Sequence, residues 1–387
     1  MEETTGRALL TDLDVFAHRV FNNLFNAIYS HHKSDNIQAV ELNECVHQTR
    51  LNEAHVNAHV ESFVGREKLL GKFAKLIAEN RFAHVASSST EASRELIDQK
   101  NALIHVVLIN GESGSGKTAF LCHFFKKTNP LRHSFVHCVG AYENSEHTLL
   151  FLKRFCVQTS VDYGLFGDDL SEQELNASYD DGFLRGTFAK ILQKLSEKIT
   201  NDKFYLIVDG VDMLVDENKR PDHSFSWLPE HMPARICLIF TACSSSHHVK
   251  AALSRKTVSN AAVEHRIKLD VFEIEPLDVL DKSEFIRLQL AKYGKHLDET
   301  SFNNQMKLLT TKRDSTHPLY LAWACDELRQ FNQYETLNQK IKELPIKMNL
   351  LVEYTLKRLE TTFGAKFTSA AFMFIGKVFK NDLPLNS

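Results

Sequence analysis

The chain has 387 residues, enough for two or three domains and a sizeable core, and its 46 Lys and Arg against 49 Asp and Glu leave a net charge of −3. With 43% apolar and 25% charged residues it reads as an ordinary globular protein, which argues against global disorder, a polybasic nucleic-acid coat and an acidic tail. No apolar run approaches the ~18–20 residues of a membrane span, the opening Met-Glu-Glu-Thr-Thr lacks a basic-then-apolar secretory signal, and seven scattered cysteines include no C-x-x-C pair; a soluble cytoplasmic chain with reduced thiols is expected.

Between Arg7 and Ser30 the residues Leu9, Leu13, Phe16, Val20, Leu24 and Ile28 recur at helical spacing. Charge is near balance along that stretch, so its apolar face is expected to dock on protein rather than on a lipid surface. A more polar helix runs to about Val60, helical spacing resumes at Leu69, Leu70, Phe73 and Ile77, and Ser87 to Thr90 reads as a loop or cap. His55 and His59, at i and i+4 near Cys45 and His47, raise a zinc site; solvated histidines on a polar helix are the preferred reading.

The rhythm then changes. Short β-branched runs at 105–110, 134–139, 204–208, 236–241 and 266–271 alternate with helical stretches, the pattern of a mainly parallel five-stranded α/β sheet flanked by helices. After Pro276 only helical patterns remain, at 278–293, 298–310, 318–331, 335–344 and 346–363, with Pro318 and Pro345 at first-turn positions. Four segments are expected: helical 1–62, an α/β nucleotide-binding domain at 63–275, a helical lid at 276–364, and at 365–387 the truncated start of a further, winged-helix-like unit.

Gly111-Glu112-Ser113-Gly114-Ser115-Gly116-Lys117-Thr118 follows an apolar strand, precedes a helix and satisfies G-x-x-x-x-G-K-[ST]. Small residues let such a loop turn its amides inward around phosphate oxygens, and the positive end of the helix beginning near Ala119 supports the charge. Lys117 is expected to reach the β- and γ-phosphates and Thr118 to ligate Mg²⁺. The apolar run ending Asp209-Gly210-Val211-Asp212 supplies Asp209 for the hydrated metal and Asp212 for polarising a water. Thr241, at the end of another apolar strand, either senses the γ-phosphate or merely ends the strand. Thr311-Lys312-Arg313-Asp314 matches the T-K-x-D form of a guanine motif but lies between helices, and the Asp209 motif lacks the glycine of D-x-x-G, so GTP is disfavoured.

These motifs, with Phe63-Val64-Gly65-Arg66-Glu67, Trp227-Leu228-Pro229 and His317-Pro318-Leu319-Tyr320-Leu321, resemble over residues 40–365 the NACHT-type branch of the signal-transduction ATPases with numerous domains, and among these the nephrocystin-3-like proteins and relatives carrying WD or TPR repeats. The resemblance implies an ATP- or ADP-operated switch of opening and self-association with protein partners and no nucleic acid. It further implies adenine contacts from the backbone of Val64, Gly65 and Arg66, and a pocket closed by Pro318. Asp326-Glu327-Leu328-Arg329, Leu344-Pro345 and Leu359-Glu360 look like the helical part of that group. Two departures, Met213 where many members have an acid and Thr241-Ala242-Cys243-Ser244 where many carry an arginine, imply slow ATP hydrolysis or a nucleotide-binding scaffold without turnover. A P-loop kinase is the third reading, without an evident acceptor site.

Overall fold

A computed structural model describes residues 44–82, 104–127, 133–259, 267–330 and 336–380, less short interruptions at 168–169, 172–173, 176–177, 201, 219, 222–224, 230–231, 234 and 301–302. The amphipathic stretch from Arg7 to Ser30 and the loop at Ser87 to Thr90 lie outside the described residues. The chain divides into two compact units, Met1–His47 and Gln48–Ser387.

Helices α1 (Glu44–Ser62) and α2 (Glu67–Phe82) precede the sheet. Strand β1 (Ile104–Gly111) leads into α3 (Lys117–Lys127), and β2 (His133–Cys138) is followed by α4 (Thr148–Tyr163) and α5 (Asp181–Lys198). Then come β3 (Phe204–Asp209), β4 (Ile236–Cys243), α6 (His247–Ser259) and β5 (Ile267–Glu273). The five strands pair in parallel within one sheet, in the order β2-β3-β4-β1-β5. Every residue of β3 is buried, as expected of a parallel strand covered on both faces, which is why its sequence is a continuous apolar run rather than an alternating one. The mainly parallel five-stranded sheet flanked by helices expected from the sequence is the arrangement observed.

Alternation along the strands distributes the core. Val107 and Ile109 of β1 pack with Ile207 and Ile239 against Phe73 of α2 and Phe120 and Phe124 of α3. Phe73, fully buried, meets Phe124, Phe272 and Phe120 edge-on at ring separations of 4.7, 4.9 and 5.4 Å. A second aromatic group links α4 and α5 to the sheet, with Phe155 meeting Phe188 at 4.8 Å and Phe151 meeting Trp227 at 5.1 Å.

Beyond β5 the chain is helical: α7 (Val279–Ala291), α8 (Gln305–Thr310), α9 (Pro318–Arg329), α10 (Leu337–Glu343), α11 (Met348–Phe363) and α12 (Ala365–Lys380). They build a separate core around Ile286, Leu309, Tyr320, Leu321, Ala324 and Ile341. Buried Glu327 accepts from Arg358 Nε and Nη2 (2.9 and 3.0 Å) and from the Thr355 hydroxyl (2.9 Å), fastening α9 to α11. After β5 the chain passes from one core to the other within a few residues. Ile274 belongs to the sheet core and its N–H donates to Asn110 O, whereas Leu277 belongs to the helical core and its N–H donates to Thr316 O.

One expected helix is shorter than its periodicity suggests. The 298–310 stretch is helical only from Gln305, because the Asn304 side chain accepts from Lys307 N (2.8 Å) and so caps a later start, while Gln305 Oε1 takes the Asp298 N–H (2.9 Å). The T-K-x-D motif also has a structural duty. Lys312 Nζ donates to the carbonyls of Lys342 and Leu344, and Asp314 Oδ2 accepts from Met348 N, so the motif pins the α10–α11 connection.

Phe73→Ala is expected to lower the unfolding free energy in urea by about 3–5 kcal/mol, whereas exposed Phe367→Ala changes it by less than about 0.5 kcal/mol. Equal losses for the two variants would contradict this description of the core.

Candidate functional site

Strand β1 ends at Gly111 and α3 begins at Lys117, so residues 112–116 turn the chain through a tight loop at the carboxyl edge of the sheet. Gly116, at φ +88°, takes a left-handed conformation costly for any residue with a Cβ. The Lys117 ammonium donates to the carbonyls of Gly111 and Glu112 (2.8 and 2.9 Å), folding its side chain back over the loop. The Ser115 hydroxyl is buried in the loop with no protein partner, an orphaned polar group of the kind a phosphate oxygen satisfies. Ser113 is exposed at the tip, and Ala119 lies in the first turn of α3.

Opposite the loop, Asp209 ends β3 almost wholly buried. Thr118 Oγ1 donates to its Oδ2 (2.8 Å) and Thr241 Oγ1 to its Oδ1 (2.7 Å), while Thr241 Oγ1 accepts from Gly210 N (2.8 Å). Burial raises the carboxyl pKa above the ordinary aspartate range, and the two hydroxyl donors together with the charges of His59 and His55 oppose that rise. Thr241, left open between two roles by the sequence, thus places its hydroxyl on Asp209.

Asp212 lies on the short 3₁₀ turn Val211–Met213, where its Oδ2 accepts from Cys243 N (3.0 Å) and from the Ser246 hydroxyl (2.8 Å). The last residue of β4 and Ser246 just beyond it therefore orient that carboxylate. The neighbouring Cys243 thiol has its pKa lowered, first by the hydrogen bond from the Ser245 hydroxyl. The side chain of Met213 is exposed.

A third contribution comes from the segment before α2. Gly65 and Arg66 both have positive φ, +68° and +62°, so the chain bends sharply there. A Cβ on Gly65 would stand 2.6 Å from Asp281 Oδ1, the same atom that accepts from Arg66 N at 2.8 Å. The Arg66 guanidinium is buried, which lowers its pKa against the attraction of Asp281; Nη1 donates to Ser115 O (2.9 Å) and Nη2 to Glu275 O (3.1 Å). Val64 packs on the helical core. From the helical side, Pro318 opens α9 with its Cγ beside Gly116, the Leu319 N–H donates weakly to Gly114 O (3.4 Å), and His317 Nε2 lies 3.3 Å from Glu112 Oε2.

The structure therefore brings Lys117, Thr118, Asp209, Thr241, Arg66 and Pro318 to one place. The side-chain role of Arg66 and the pairing of His317 with Glu112 were not readable from the sequence, because each joins positions far apart in the chain. A cleft of about 170 Å³ opens beside Gly65 and Arg66, walled by Glu67, Glu275, Asp278, Asp281 and Glu284. So many carboxylates repel a phosphate tail, and no residue of 111–118 lines the cleft. Among the described residues no group of three or more His, Cys, Asp or Glu is placed to hold a metal, which removes support for a zinc site on His55 and His59.

The buried Ser115 hydroxyl, the glycine turn and the Thr118–Asp209 pair fit a nucleotide phosphate with hydrated Mg²⁺. Residues 105–292 match the NACHT domain. Over 268 residues the chain is 31% identical to telomerase protein component 1 of Mus musculus, an alignment covering 66% of this chain and 9% of that protein. A TPR repeat-containing protein of Dictyostelium discoideum is 23% identical over 293 residues, 67% of this chain and 16% of that one. The chain thus spans less than a fifth of the length of either relative. Among solved structures, the Walker-type ATPase of Pyrococcus abyssi is similar with a TM-score of 0.44 and 16% identity, over 70% of this chain and 74% of that one. No described helix is long and apolar enough to cross a membrane.

Gly65→Ala is expected to destabilise more than Gly294→Ala. Both glycines have nearly the same φ, so each substitution carries about 1–2 kcal/mol of backbone strain. Only at Gly65 does the new Cβ displace Asp281 and break its hydrogen bond to Arg66, adding about 1.5–3 kcal/mol. Urea unfolding of the two variants checks this; equal losses count against the Asp281 clamp.

Proposed function

We propose that the chain is a regulatory P-loop NTPase in which ATP or ADP, held with Mg²⁺ at the NACHT domain, controls an opening between the α/β and helical parts and thereby self-association with protein partners. The observation that carries the reading is the seating of Pro318 and Leu319 against the phosphate loop. A loop that changes shape around phosphates must alter its contact with α9, and through α9 the helical core responds. The domain limits read from the sequence, 63–275 for nucleotide binding and 276–364 for the lid, belong to the same proposal.

Each side chain then has a task. Loop amides and Lys117 grip the phosphates, the Ser115 hydroxyl donates to one of their oxygens, and Thr118 and Asp209 hold the hydrated metal. Thr241 holds Asp209 at the metal-facing angle. Asp212, steadied by Cys243 N and Ser246, orients a water through its other oxygen. The backbone of Val64, Gly65 and Arg66 bounds the adenine, with Pro318 facing it. When bound, Mg²⁺ neutralises charge on the phosphates. Hydrolysis is slow in this proposal, because Met213 occupies the place of a further acid and no arginine follows β4 in Thr241-Ala242-Cys243-Ser244. Free cysteines support a reducing, cytoplasmic setting. The nephrocystin-3-like affinity rests on motif order alone, while the sequence relatives include telomerase protein component 1.

Lys117→Ala is expected to weaken ATP binding about 10- to 100-fold, the worth of a hydrogen bond to a charged group, as read by competition with a fluorescent ATP analogue. Equal affinity in wild type and variant ends the proposal. The scaffold reading differs in turnover: phosphate release above background that Asp212→Asn abolishes supports the switch, and ATP binding without any release supports the scaffold.

A further inference from the structure

Helix α1 is tied to the carboxyl edge of the sheet at both ends of its second half. Asn52 brackets the end of β2, its Oδ1 accepting from Cys138 N (2.9 Å) and its Nδ2 donating to Val136 O (3.1 Å). Cys138 is the register partner of Asp209. One turn on, Val56 is buried against Cys138 and Cys122. Past the helix end, Phe63 stacks on His123 of α3 at 4.3 Å. The helix therefore passes from the end of β2 to the helix that follows the phosphate loop, and His55 and His59 lie between these anchors.

Their rings are 4.6 Å apart, edge to face, and half-buried. Asn52 holds Cys138, whose register partner is Asp209, so the helix that carries His55 and His59 runs beside the strand end bearing that carboxylate, and both rings, when protonated, lower the Asp209 pKa. Burial lowers the pKa of both, which leaves neutral imidazoles near pH 7, and each neutral ring still carries one N–H donor.

We infer that His55 and His59 form the roof of the terminal-phosphate end of the nucleotide site, donating to the third phosphate, so that α1 distinguishes a triphosphate from a diphosphate. The inference rests on the nucleotide site proposed above and adds a residue pair to it. The two rings act as binding and discriminating groups with no part in bond breaking.

The test measures Mg²⁺-ATP and Mg²⁺-ADP affinities of the full chain by competition, for wild type and for the double variant His55→Gln, His59→Gln. The expected result is a loss of about tenfold for ATP with less than about twofold for ADP, the scale of one or two hydrogen bonds to an anion. Equal losses for both nucleotides, or no loss for either, overturn the inference. A footprint on the wild-type protein is independent of any variant's folding: Mg²⁺-ATP, more than Mg²⁺-ADP, is expected to slow diethyl pyrocarbonate modification of His55 and His59 while leaving exposed His296 unchanged. Unaltered modification of the pair under ATP overturns the inference. If wild type binds ATP no better than Lys117→Ala, the nucleotide site itself fails and this roof fails with it; if Lys117→Ala alone loses binding, only the roof is wrong.

Discussion

The geometry of the site depends on how one carboxylate is kept inside the protein. Moving an anion out of water costs several kcal/mol, and an Asp so buried persists only with donors aimed at both of its oxygens. Asp209 has them in Thr118, from the helix after the phosphate loop, and Thr241, from the neighbouring strand. Those two contacts tie the ends of β3 and β4 to the start of α3. In the proposed nucleotide site the same hydroxyls that offset the burial also set the place of the hydrated cation, so stability and placement share one set of hydrogen bonds.

A second constraint comes from outside the sheet. Arg66 reaches from the segment before α2 to the carbonyls of Ser115 and Glu275, one in the phosphate loop and the other in the linker to the helical part. With His317 beside Glu112 and Leu319 bonded to Gly114, the loop is held from three directions by residues remote in the chain. A loop so surrounded has few ways to move without its neighbours moving too, and that mechanical coupling is what a nucleotide-operated regulator requires.

Much of this was legible in the sequence. The phosphate loop was readable because its chemistry is local: glycines, Lys117 and Thr118 at fixed spacing determine their own geometry. The five strands were readable because a strand buried on both faces must be apolar throughout, as in Phe204–Asp209. Strand order was not legible, since register is decided by packing between distant segments. The i, i+4 spacing of His55 and His59 places the rings side by side, but helical spacing cannot say what a pair faces, and the preferred reading of solvated rings misses that both are half-buried. The T-K-x-D motif was disfavoured as a guanine signal because it lies between helices, and Lys312 and Asp314 tie a helix connection.

The passage from sheet to helices carries a consequence for how the two parts can separate. Ile274 is anchored in one core and Leu277 in the other, which leaves Glu275 and Pro276 as the crossing between them. From Ile274 to Leu277 the chain spans about 11 Å at most, too little for the helical part to slide far from the sheet. The proline removes one φ rotation as well. Relative motion is thereby reduced to a swivel about a nearly fixed pivot, with Arg66, whose guanidinium grips the Glu275 carbonyl, as the latch beside its axle.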